Sequence, residues 1–392
     1  MTDATMNIDP KILALKEEVT RWRRDFHANP ETLYEVQRTA GIVAEKLREF
    51  GCDEVVEGIG RTGVVGVIHG RKASSKVVGL RADMDALPIE EETNLPHRSK
   101  VSGKMHACGH DGHTAMLLGA AKHLAATRDF DGTVILIFQP AEEGGAGGKA
   151  MVDDGMMDRW GIQEVYGMHN MPGLPPGHFS LRTGPLMAAT AYYTIAIEGR
   201  GSHAAKPHEG IDPVLIGAHI VTALQSIASR NVDPLKSVVV SNTIFQAGEA
   251  QNVIPQRAVL RGTVRTLDNS IRDIAEARFR AIVEGTAKMF GAEAHLDYRR
   301  GYPATVNHPR ETVFATKIAR SVAGHDAVDD DAAPTMGGED FSYMLEARPG
   351  AFIFIGNGDS AGLHHPAYDF NDDVLSVGIQ YWAEVAKART AA

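Results

Sequence analysis

The segment "HTAMLLGAAKHLAATRDFDGTVILIFQP", residues 113–140, joins two stretches of different periodicity. Its first part has apolar and small residues at helical spacing, which predicts a helix. Its last part, "GTVILIFQP", is almost entirely apolar and predicts a buried strand. The apolar segments "GVVGVIHG", "KVVGLRADMD" and "EVYGMHN" also stand among helix signals. Buried strands separated by helices indicate an α/β fold with a mainly parallel sheet covered by helices.

The pattern changes near residue 184. "TAYYTIAIEGRG" alternates like a half-exposed antiparallel strand, and two further strands and two helices follow it. The earlier helix and strand pattern resumes after "GYPAT". We therefore expect an inserted α+β domain at 184–298 within a catalytic domain made of 1–183 and 299–392. A chain of 392 residues is long enough for two or three domains.

Composition excludes several classes of partner. The formal net charge is −10, which disfavours nucleic acid and acidic membrane surfaces. No apolar run reaches the ~20 residues that span a bilayer. The first residues lack a basic segment followed by an apolar core, so they do not resemble a signal peptide. Two cysteines cannot form a disulfide framework. We expect a cytoplasmic protein that binds neither nucleic acid nor membrane.

The segment "MHACGHDGHT", residues 105–114, combines a cysteine with three histidines. Cys108 and His110 would face one point if the backbone were extended there, and Gly109 between them permits an unusual backbone angle. The helix signal begins only near His113. This pair suits a transition metal, although a buried cysteine beside surface histidines would fit the same residues. Whether Cys108 is a metal ligand or a reactive thiol is open at this point.

Three other clusters of functional side chains follow predicted strands. Glu142 and Glu143 come after "GTVILIFQP", His169 closes "EVYGMHN", and His364 and His365 follow "AFIFIGNG". Functional groups gather at the carboxyl ends of strands in open α/β sheets. Adjacent glutamates on an extended loop would point in opposite directions, so one could bind a metal while the other carries a proton. Alone each cluster has an ordinary structural explanation, but together they predict one site.

Carboxylates near these clusters are candidates for orienting the histidines. Asp83 and Asp85 end the strand "KVVGLRADMD", and Asp111 adjoins His110. A histidine that binds a metal usually donates its second ring N–H to a carboxylate or carbonyl. We expect Asp85 or Asp111 to have this role.

These clusters, in this order, resemble the amidohydrolase branch of the aminoacylase/carboxypeptidase metallohydrolase superfamily. That branch includes hippurate hydrolases, N-acyl-amino-acid deacylases, N-acetyl-diaminopimelate deacetylases and plant auxin-conjugate hydrolases. The resemblance extends from residue 23 to residue 373. Its matching segments are "RRDFHANPE", "LRADMDALPI", "MHACGHDGHTAMLLGAA", "FQPAEEGGAGG", "GMHN", "GRGSHAAKPHEGIDP", "QNVIP", "MGGEDFSYM" and "LHHPAYDFND".

The resemblance implies an enzyme with two divalent metal ions per subunit, which could be Zn, Mn, Co or Ni. It implies hydrolysis of N-acyl-amino acids of the hippurate or N-acetyl type by metal-bound hydroxide, which releases a carboxylic acid and a free amino acid. The wider superfamily has a histidine where this chain has Asp83, and an aspartate at the "ACGH" segment. Glu142 would be the general base, and the implied metal ligands are Cys108, His110, Glu143, His169 and His364.

The resemblance also assigns the inserted domain as a lid that pairs with another subunit, in a homodimer or a dimer of dimers. His203 would bind the developing oxyanion, and Asn252 would contact the substrate. For the substrate carboxylate, the backbone N–H groups around Gly337 and Gly338 could form an anion-binding concavity. Arg261 and Arg265 are further candidates for that carboxylate, although surface strand positions explain both.

Three alternatives stand beside this interpretation. A dipeptidase or carboxypeptidase could use the same site, and a non-catalytic binding protein would show a damaged one, whereas every expected ligand is present. A hydrolase with Cys108 as nucleophile needs one oriented base and a metal-free thiol. Since Glu142 and Glu143 would then have no function, metal ligation by Cys108 is the better hypothesis.

Overall fold

The computed structural model describes residues 6–391, so residues 1–5 and 392 of the predicted catalytic domain lie outside the described residues. The strands are β1 (Glu54–Ile59), β2 (Gly63–His69), β3 (Lys72–Asp83), β4 (Asp131–Gln139), β5 (Glu164–Pro172), β6 (Phe179–Ser180), β7 (Gly184–Met187), β8 (Ala189–Glu198), β9 (Ser202–His203), β10 (Val238–Ala247), β11 (Val253–Ile254), β12 (Arg257–Thr266), β13 (Glu293–Arg300), β14 (Thr305–Asn307), β15 (Val328–Asp329) and β16 (Gly350–Gly358). The α-helices are α1 (Pro10–Leu13), α2 (Lys16–Ala28), α3 (Gln37–Glu49), α4 (His110–Thr127), α5 (Gly147–Asp153), α6 (Met156–Arg159), α7 (Pro213–Leu224), α8 (Asn269–Met289), α9 (Pro309–Ala323), α10 (Ser342–Ala347) and α11 (Leu375–Thr390).

The chain divides into two compact units. The second unit consists of Met187–Thr305 and Pro334–Glu339, and the first unit contains the other described residues. The sequence predicted an inserted domain at 184–298, whereas β13 of the second unit ends at Arg300. Of the helices within residues 6–391, none combines the length and the apolar character that crossing a bilayer requires.

The first unit is built on an eight-stranded sheet in the order β1-β2-β4-β3-β5-β16-β6-β15. Its four central strands β4, β3, β5 and β16 run parallel to one another. At one edge, β1 and β2 are antiparallel to each other and β2 is antiparallel to β4. The predicted α/β fold with a mainly parallel sheet is confirmed.

Helix α4 occupies the core of the first unit. Nearly all of its side chains from His110 to Ala121 are buried, and it packs against α2 and α11. A helix without a polar face cannot lie at the surface, which is why this segment lies between other helices and the sheet. Its first residue, His110, is therefore fully buried at the start of the helix.

The second unit is an α+β layer. Its antiparallel sheet has the order β10-β12-β8-β13, and helices α7 and α8 cover one face. Ile195, Leu260, Ile220 and Phe279 are among the fully buried residues of its separate apolar core. Strands β9 and β11 form a short ribbon in which His203 pairs with Val253.

Candidate metal centre

Cys108 and His110 are positioned by a left-handed glycine at the start of α4. Gly109 has a φ of 89°, and its carbonyl oxygen accepts the backbone N–H groups of Gly112 and His113. The sequence placed the start of the helix near His113, but the helix begins at His110. That prediction was wrong because a glycine in the left-handed conformation can precede a helix without a capping side chain. Both Cys108 and His110 are buried.

Glu142 and Glu143 lie in a tight loop after β4. The two backbone N–H groups donate to the same carboxylate, that of Asp85, at 2.8 and 3.1 Å. Ala141 before them and Gly144 after them have φ values of 54° and 87°, so the backbone is not extended. The expectation that the two side chains point in opposite directions is wrong, because each has an oxygen within 4.8 Å of a ring nitrogen of His110.

His169 lies in the carboxyl-terminal half of β5, and His364 lies in the loop after the neighbouring strand β16. His169 lies within β5, opposite Phe354 of β16, whereas the sequence placed it at the strand end. His364 follows β16 in a loop and has a φ of 64°, an uncommon value for a residue other than glycine. Its backbone N–H donates to the carbonyl of Ala107 at 2.8 Å, which ties this loop to the segment that carries Cys108.

The predicted ligands meet in overlapping groups. Cys108, His110 and His169 have ligand atoms within 4.8 Å of one another, and the same limit holds for Cys108, Glu143 and His364. A third group contains His110, Glu142 and Glu143. The Cys108 sulfur is 3.4 Å from Nε2 of His169, and Nε2 of His364 is 3.2 Å from Oε1 of Glu143. We call this set the candidate metal centre: Cys108, His110, Glu142, Glu143, His169 and His364.

Main-chain carbonyls orient the two buried histidines of the candidate metal centre. Nδ1 of His110 donates to the Asp85 carbonyl at 2.7 Å, and Nδ1 of His169 donates to the Asn170 carbonyl at 2.6 Å. A carbonyl can only accept, so Nδ1 carries the proton of the neutral ring in each case, and Nε2 of the neutral ring has the lone pair that a metal would bind. Metal-binding histidines typically show this arrangement. Nε2 of His110 is buried and has no hydrogen-bond partner within residues 6–391.

Negative charge accumulates around the Cys108 thiol. Burial raises the pKa of Cys108 well above its usual range, and the carboxylates of Glu143 and Glu142 raise it further. These surroundings keep the thiol protonated unless a cation is present. The same environment disfavours a free nucleophilic thiolate.

Nearby carboxylates also favour the protonated form of His110, which carries a positive charge. Burial alone would lower the pKa of His110, but Asp83, Asp85 and Glu143 outweigh it and raise the pKa to about 10. The site therefore attracts positive charge. Sulfur, imidazole and carboxylate donors with an unpartnered buried nitrogen fit a divalent transition metal, and these donor types are used for Zn and related ions.

Of the two residues expected to orient a ligand histidine, Asp85 orients His110 and Asp111 does not. Asp85 supports His110 through its main-chain carbonyl, while its carboxylate holds the Glu142–Glu143 loop. Asp111 does not orient His110, because successive helical residues point to different sides. Its carboxylate instead accepts a hydrogen bond from His27 at 2.8 Å and lies 3.6 Å from the guanidinium of Arg23.

The other predicted site residues lie in the second unit. His203 is exposed on β9, and its Nδ1 accepts the backbone N–H of Ala205 at 3.0 Å, so Nε2 carries the proton of the neutral ring. Asn252 is exposed on the adjoining strand connection, and its carbonyl accepts the N–H of Ala204. A Cβ atom at Gly338 would lie 3.5 Å from the Arg265 guanidinium. The roles of His203, Asn252 and Gly338 stay predictions.

Sequence reasoning missed four side chains behind the candidate metal centre. Arg81, Asn170 and Tyr368 are fully buried and His113 nearly so, and each forms hydrogen bonds among the segments that carry the predicted ligands. All four stand inside or beside the quoted motifs. Their polar character at otherwise apolar positions was the available signal.

The family model for "Peptidase family M20/M25/M40" matches residues 79–388. The chain belongs to this family, and the superfamily predicted from the motifs is confirmed.

Relatives and a solved structure agree with this assignment over nearly the whole chain. A hippurate hydrolase from Campylobacter jejuni is 43% identical and aligns over 97% of this chain and 99% of its own length. Thermostable carboxypeptidase 2 from Saccharolobus solfataricus is 41% identical, with 95% and 96% covered. A Bacillus subtilis protein described as a dinuclear metal binding peptidase of the M20 family has 36% identity and a TM-score of 0.82, with 96% and 98% covered.

Proposed function

We propose that the chain is a metal-dependent amidohydrolase that cleaves the amide bond of N-acyl-amino acids. Water adds to the acyl carbon, the carbon–nitrogen bond breaks, and the nitrogen receives a proton. The products are a carboxylic acid and a free amino acid. The observation that carries this proposal is the convergence of six ligand-type side chains in three overlapping groups. The similarity to a hippurate hydrolase over nearly full length supports the substrate class.

Two divalent ions would be held by Cys108, His110, Glu143, His169 and His364, with Cys108 and Glu143 each within reach of more than one group. Such ions lower the pKa of water and polarise a carbonyl oxygen, which supplies the nucleophile and the electrophile. Similarity to a structure described as a dinuclear metal binding peptidase supports the number two. The identity of the ions, Zn, Mn, Co or Ni, is for metal analysis to establish.

Glu142 would move the proton. It is buried, and the Asp85 carboxylate fixes its backbone, so its carboxylate has little freedom to leave the site. It would take a proton from the attacking water and deliver it to the leaving nitrogen, a role that typically contributes 10²–10⁴-fold. His203 would donate its Nε2–H to the developing oxyanion, because Nδ1 is already occupied as an acceptor. Asn252 and Gly338 would contact the substrate.

The test is chelation followed by reconstitution with each metal in turn. The reconstituted protein would be assayed with hippurate, N-acetyl amino acids and free dipeptides, and kcat/KM would be compared. We expect activity to disappear on chelation, to return with a divalent metal, and to be highest for an N-acyl-amino acid. Activity that survives exhaustive chelation would instead point to Cys108 as a nucleophile.

A carboxypeptidase is the second candidate, because a carboxypeptidase is 41% identical to this chain. The same panel distinguishes the two activities, since a peptidase would prefer the free dipeptides to the N-acyl-amino acids. We further propose a cytoplasmic homodimer, or a dimer of dimers, that associates through 184–298. Sedimentation of the purified protein tests the assembly.

A further inference from the structure

Asn170 connects three backbone segments of the candidate metal centre. Its Nδ2 donates to the carbonyl of Cys108 at 2.6 Å, and its Oδ1 accepts the hydroxyl of Tyr368 at 2.7 Å. Its backbone N–H donates to Nε2 of His113 at 2.9 Å. Asn170 directly follows His169 in β5, so one fully buried amide joins the segment of Cys108, the strand of His169 and the loop after β16.

His113 fixes this amide from the other side. Its Nδ1 donates to Asp83 at 2.6 Å, which leaves Nε2 as the acceptor for Asn170. Asp83 in turn accepts from the Arg81 guanidinium at 2.7 Å, and both side chains are fully buried. The ion pair between Asp83 and Arg81 thus sets the tautomer of His113. Each hydrogen bond in this series has a defined donor and acceptor, so the side-chain amide of Asn170 can adopt only one orientation.

The glycine between the two predicted ligands is shaped to this amide. A Cβ at Gly109 would lie 2.2 Å from Nδ2 of Asn170 and 2.6 Å from the Tyr368 hydroxyl. The left-handed backbone of Gly109 therefore brings the Cys108 carbonyl within reach of the amide. Tyr368 also donates its backbone N–H to the carbonyl of His365 at 2.9 Å, beside His364. The three segments are held together by hydrogen bonds and not by apolar packing alone.

We propose that Asn170 is a positioning residue that sets the separation of the Cys108 sulfur from Nε2 of His169. These two atoms are 3.4 Å apart, and both belong to one group of possible ligands. Metal sites tolerate deviations of about 0.2 Å in ligand distance, so a small shift of the Cys108 backbone changes binding. This proposal rests on the proposed metal site. Tyr368 and His113 would act through Asn170, and none of the three would contact the metal.

The experiment compares Co²⁺ binding by the metal-free full chain with that of Asn170→Ala. The readouts are affinity, measured in competition with a chelator, and the near-ultraviolet charge-transfer band from thiolate sulfur to Co²⁺. We expect about 10–100-fold weaker binding, the range for partners that orient ligands, and a weaker or shifted sulfur band. These readouts do not depend on turnover, so they report on Cys108 directly.

Asn307→Ala is the matched control. Asn307 is also a buried amide in the first unit, and it joins backbone groups of Arg182 and Phe352 by three hydrogen bonds at 2.7–3.0 Å. Its replacement should lower thermal stability to a similar extent while the Co²⁺ affinity and the sulfur band stay unchanged. If Asn170→Ala does not fold, Tyr368→Phe decides the matter, because it removes one bond to Asn170 and should weaken binding about 2–10-fold.

Several results would overturn the proposal. Binding and a sulfur band equal to those of the unmodified chain in Asn170→Ala, or in Tyr368→Phe where that variant decides, would show that the amide does not position Cys108. An equal loss in Asn307→Ala would show that any buried amide has this effect. Absence of the sulfur band in the unmodified chain would instead refute Cys108 as a ligand, and with it the proposed function on which the inference rests.

Discussion

In the candidate metal centre, His110 and His169 are buried, and each has one ring nitrogen bonded to a main-chain carbonyl. In the second unit, His203 is exposed on a two-residue strand, and within residues 6–391 its ring accepts one hydrogen bond, from the N–H of Ala205. The orientation of the first two rings is fixed by burial and by these hydrogen bonds. The third has a defined tautomer but few contacts that fix its direction.

This difference separates two ways of preparing a functional group. Ligands of a metal must be in place before the ion arrives, and burial with paired hydrogen bonds provides that order. A group that meets a substrate can remain exposed until the substrate binds. The comparison predicts that substitutions of the predicted ligands Cys108, His110, Glu143 and His169 change metal content or stability, whereas substitutions at His203 change turnover alone.

The largest expected effect comes from Glu142, which tests the comparison inside the candidate metal centre. Glu142→Gln keeps the size of the side chain but removes the proton acceptor. We expect kcat to fall by about 10²–10⁴-fold, the contribution of a general base, with metal content unchanged. Steady-state kinetics with an N-acyl-amino acid and metal analysis of the same sample provide the measurement.

Glu143→Gln is the matched variant, since it makes the same change one residue later. Glu143 lies 3.2 Å from His364 and should lose metal as well as activity. If both variants kept full metal content, or if Glu142→Gln kept turnover, the division of roles between the two glutamates would be wrong.

His203→Ala tests the other side of the comparison. Loss of an oxyanion donor typically costs on the order of 10²–10³-fold in kcat. Because His203 is exposed, we expect the melting temperature and the metal content to remain unchanged. His208→Ala is the control, since His208 is an exposed histidine in the same unit. Equal kinetics in the two variants would remove His203 from the reaction.

Gly109→Ala tests how tightly the backbone of the candidate metal centre is packed. A side chain at a φ of 89° costs about 1–3 kcal/mol, and displacement of Asn170 and Tyr368 adds about 1–3 kcal/mol of overpacking. Gly103→Ala is the control, because Gly103 has a φ of 73° but open space around its Cβ position. Denaturant unfolding should show the larger loss at Gly109. Equal losses would mean that the contacts with Asn170 and Tyr368 carry no strain.

The fold was largely predictable because its strands are buried on both faces and therefore nearly continuous in apolar residues. Strand β13 was missed, since "EAHLDYRR" alternates among charged residues at a sheet edge where burial is weak. The start of α4 was placed three residues late, because a left-handed glycine leaves no capping side chain to recognise. These errors lie where backbone geometry, and not apolar periodicity, determines the structure.

The ligand-type residues of the candidate site were identified from their residue types and motifs. Their supports were identified only in part: Asp85 was expected to orient a histidine, but its use of the main-chain carbonyl has no signature in the sequence. The loop of Glu142 and Glu143 was predicted to be extended. Ala141 has a positive φ, which the identity of an alanine does not indicate. Asn170 and His113 were overlooked because their partners lie far away along the chain.

The smallest expected effect concerns His27, a buried histidine outside the predicted ligand set, and it is a change in the pH dependence of stability. His27 of α2 donates to Asp111 at 2.8 Å, and its other ring nitrogen is 3.4 Å from Glu91. Burial and the charge of Arg23 lower the pKa of His27, but Asp111 and Glu91 outweigh them and raise it to about 9, from an ordinary value of 6.5. The folded chain thus binds a proton that the unfolded chain releases above pH 6.5.

The sign follows from this shift: the stabilisation by His27 is complete below about pH 6.5 and is lost as the pH rises through about 9. We expect the free energy of unfolding of the metal-free chain to fall over this range by on the order of 1–3 kcal/mol more than that of His27→Gln. Urea unfolding at several pH values measures both slopes, and their difference isolates His27 from other titrating groups. His325→Gln, at an exposed position, should keep the unmodified slope. Parallel curves for the unmodified chain and His27→Gln would mean that His27 carries no extra proton in the folded chain.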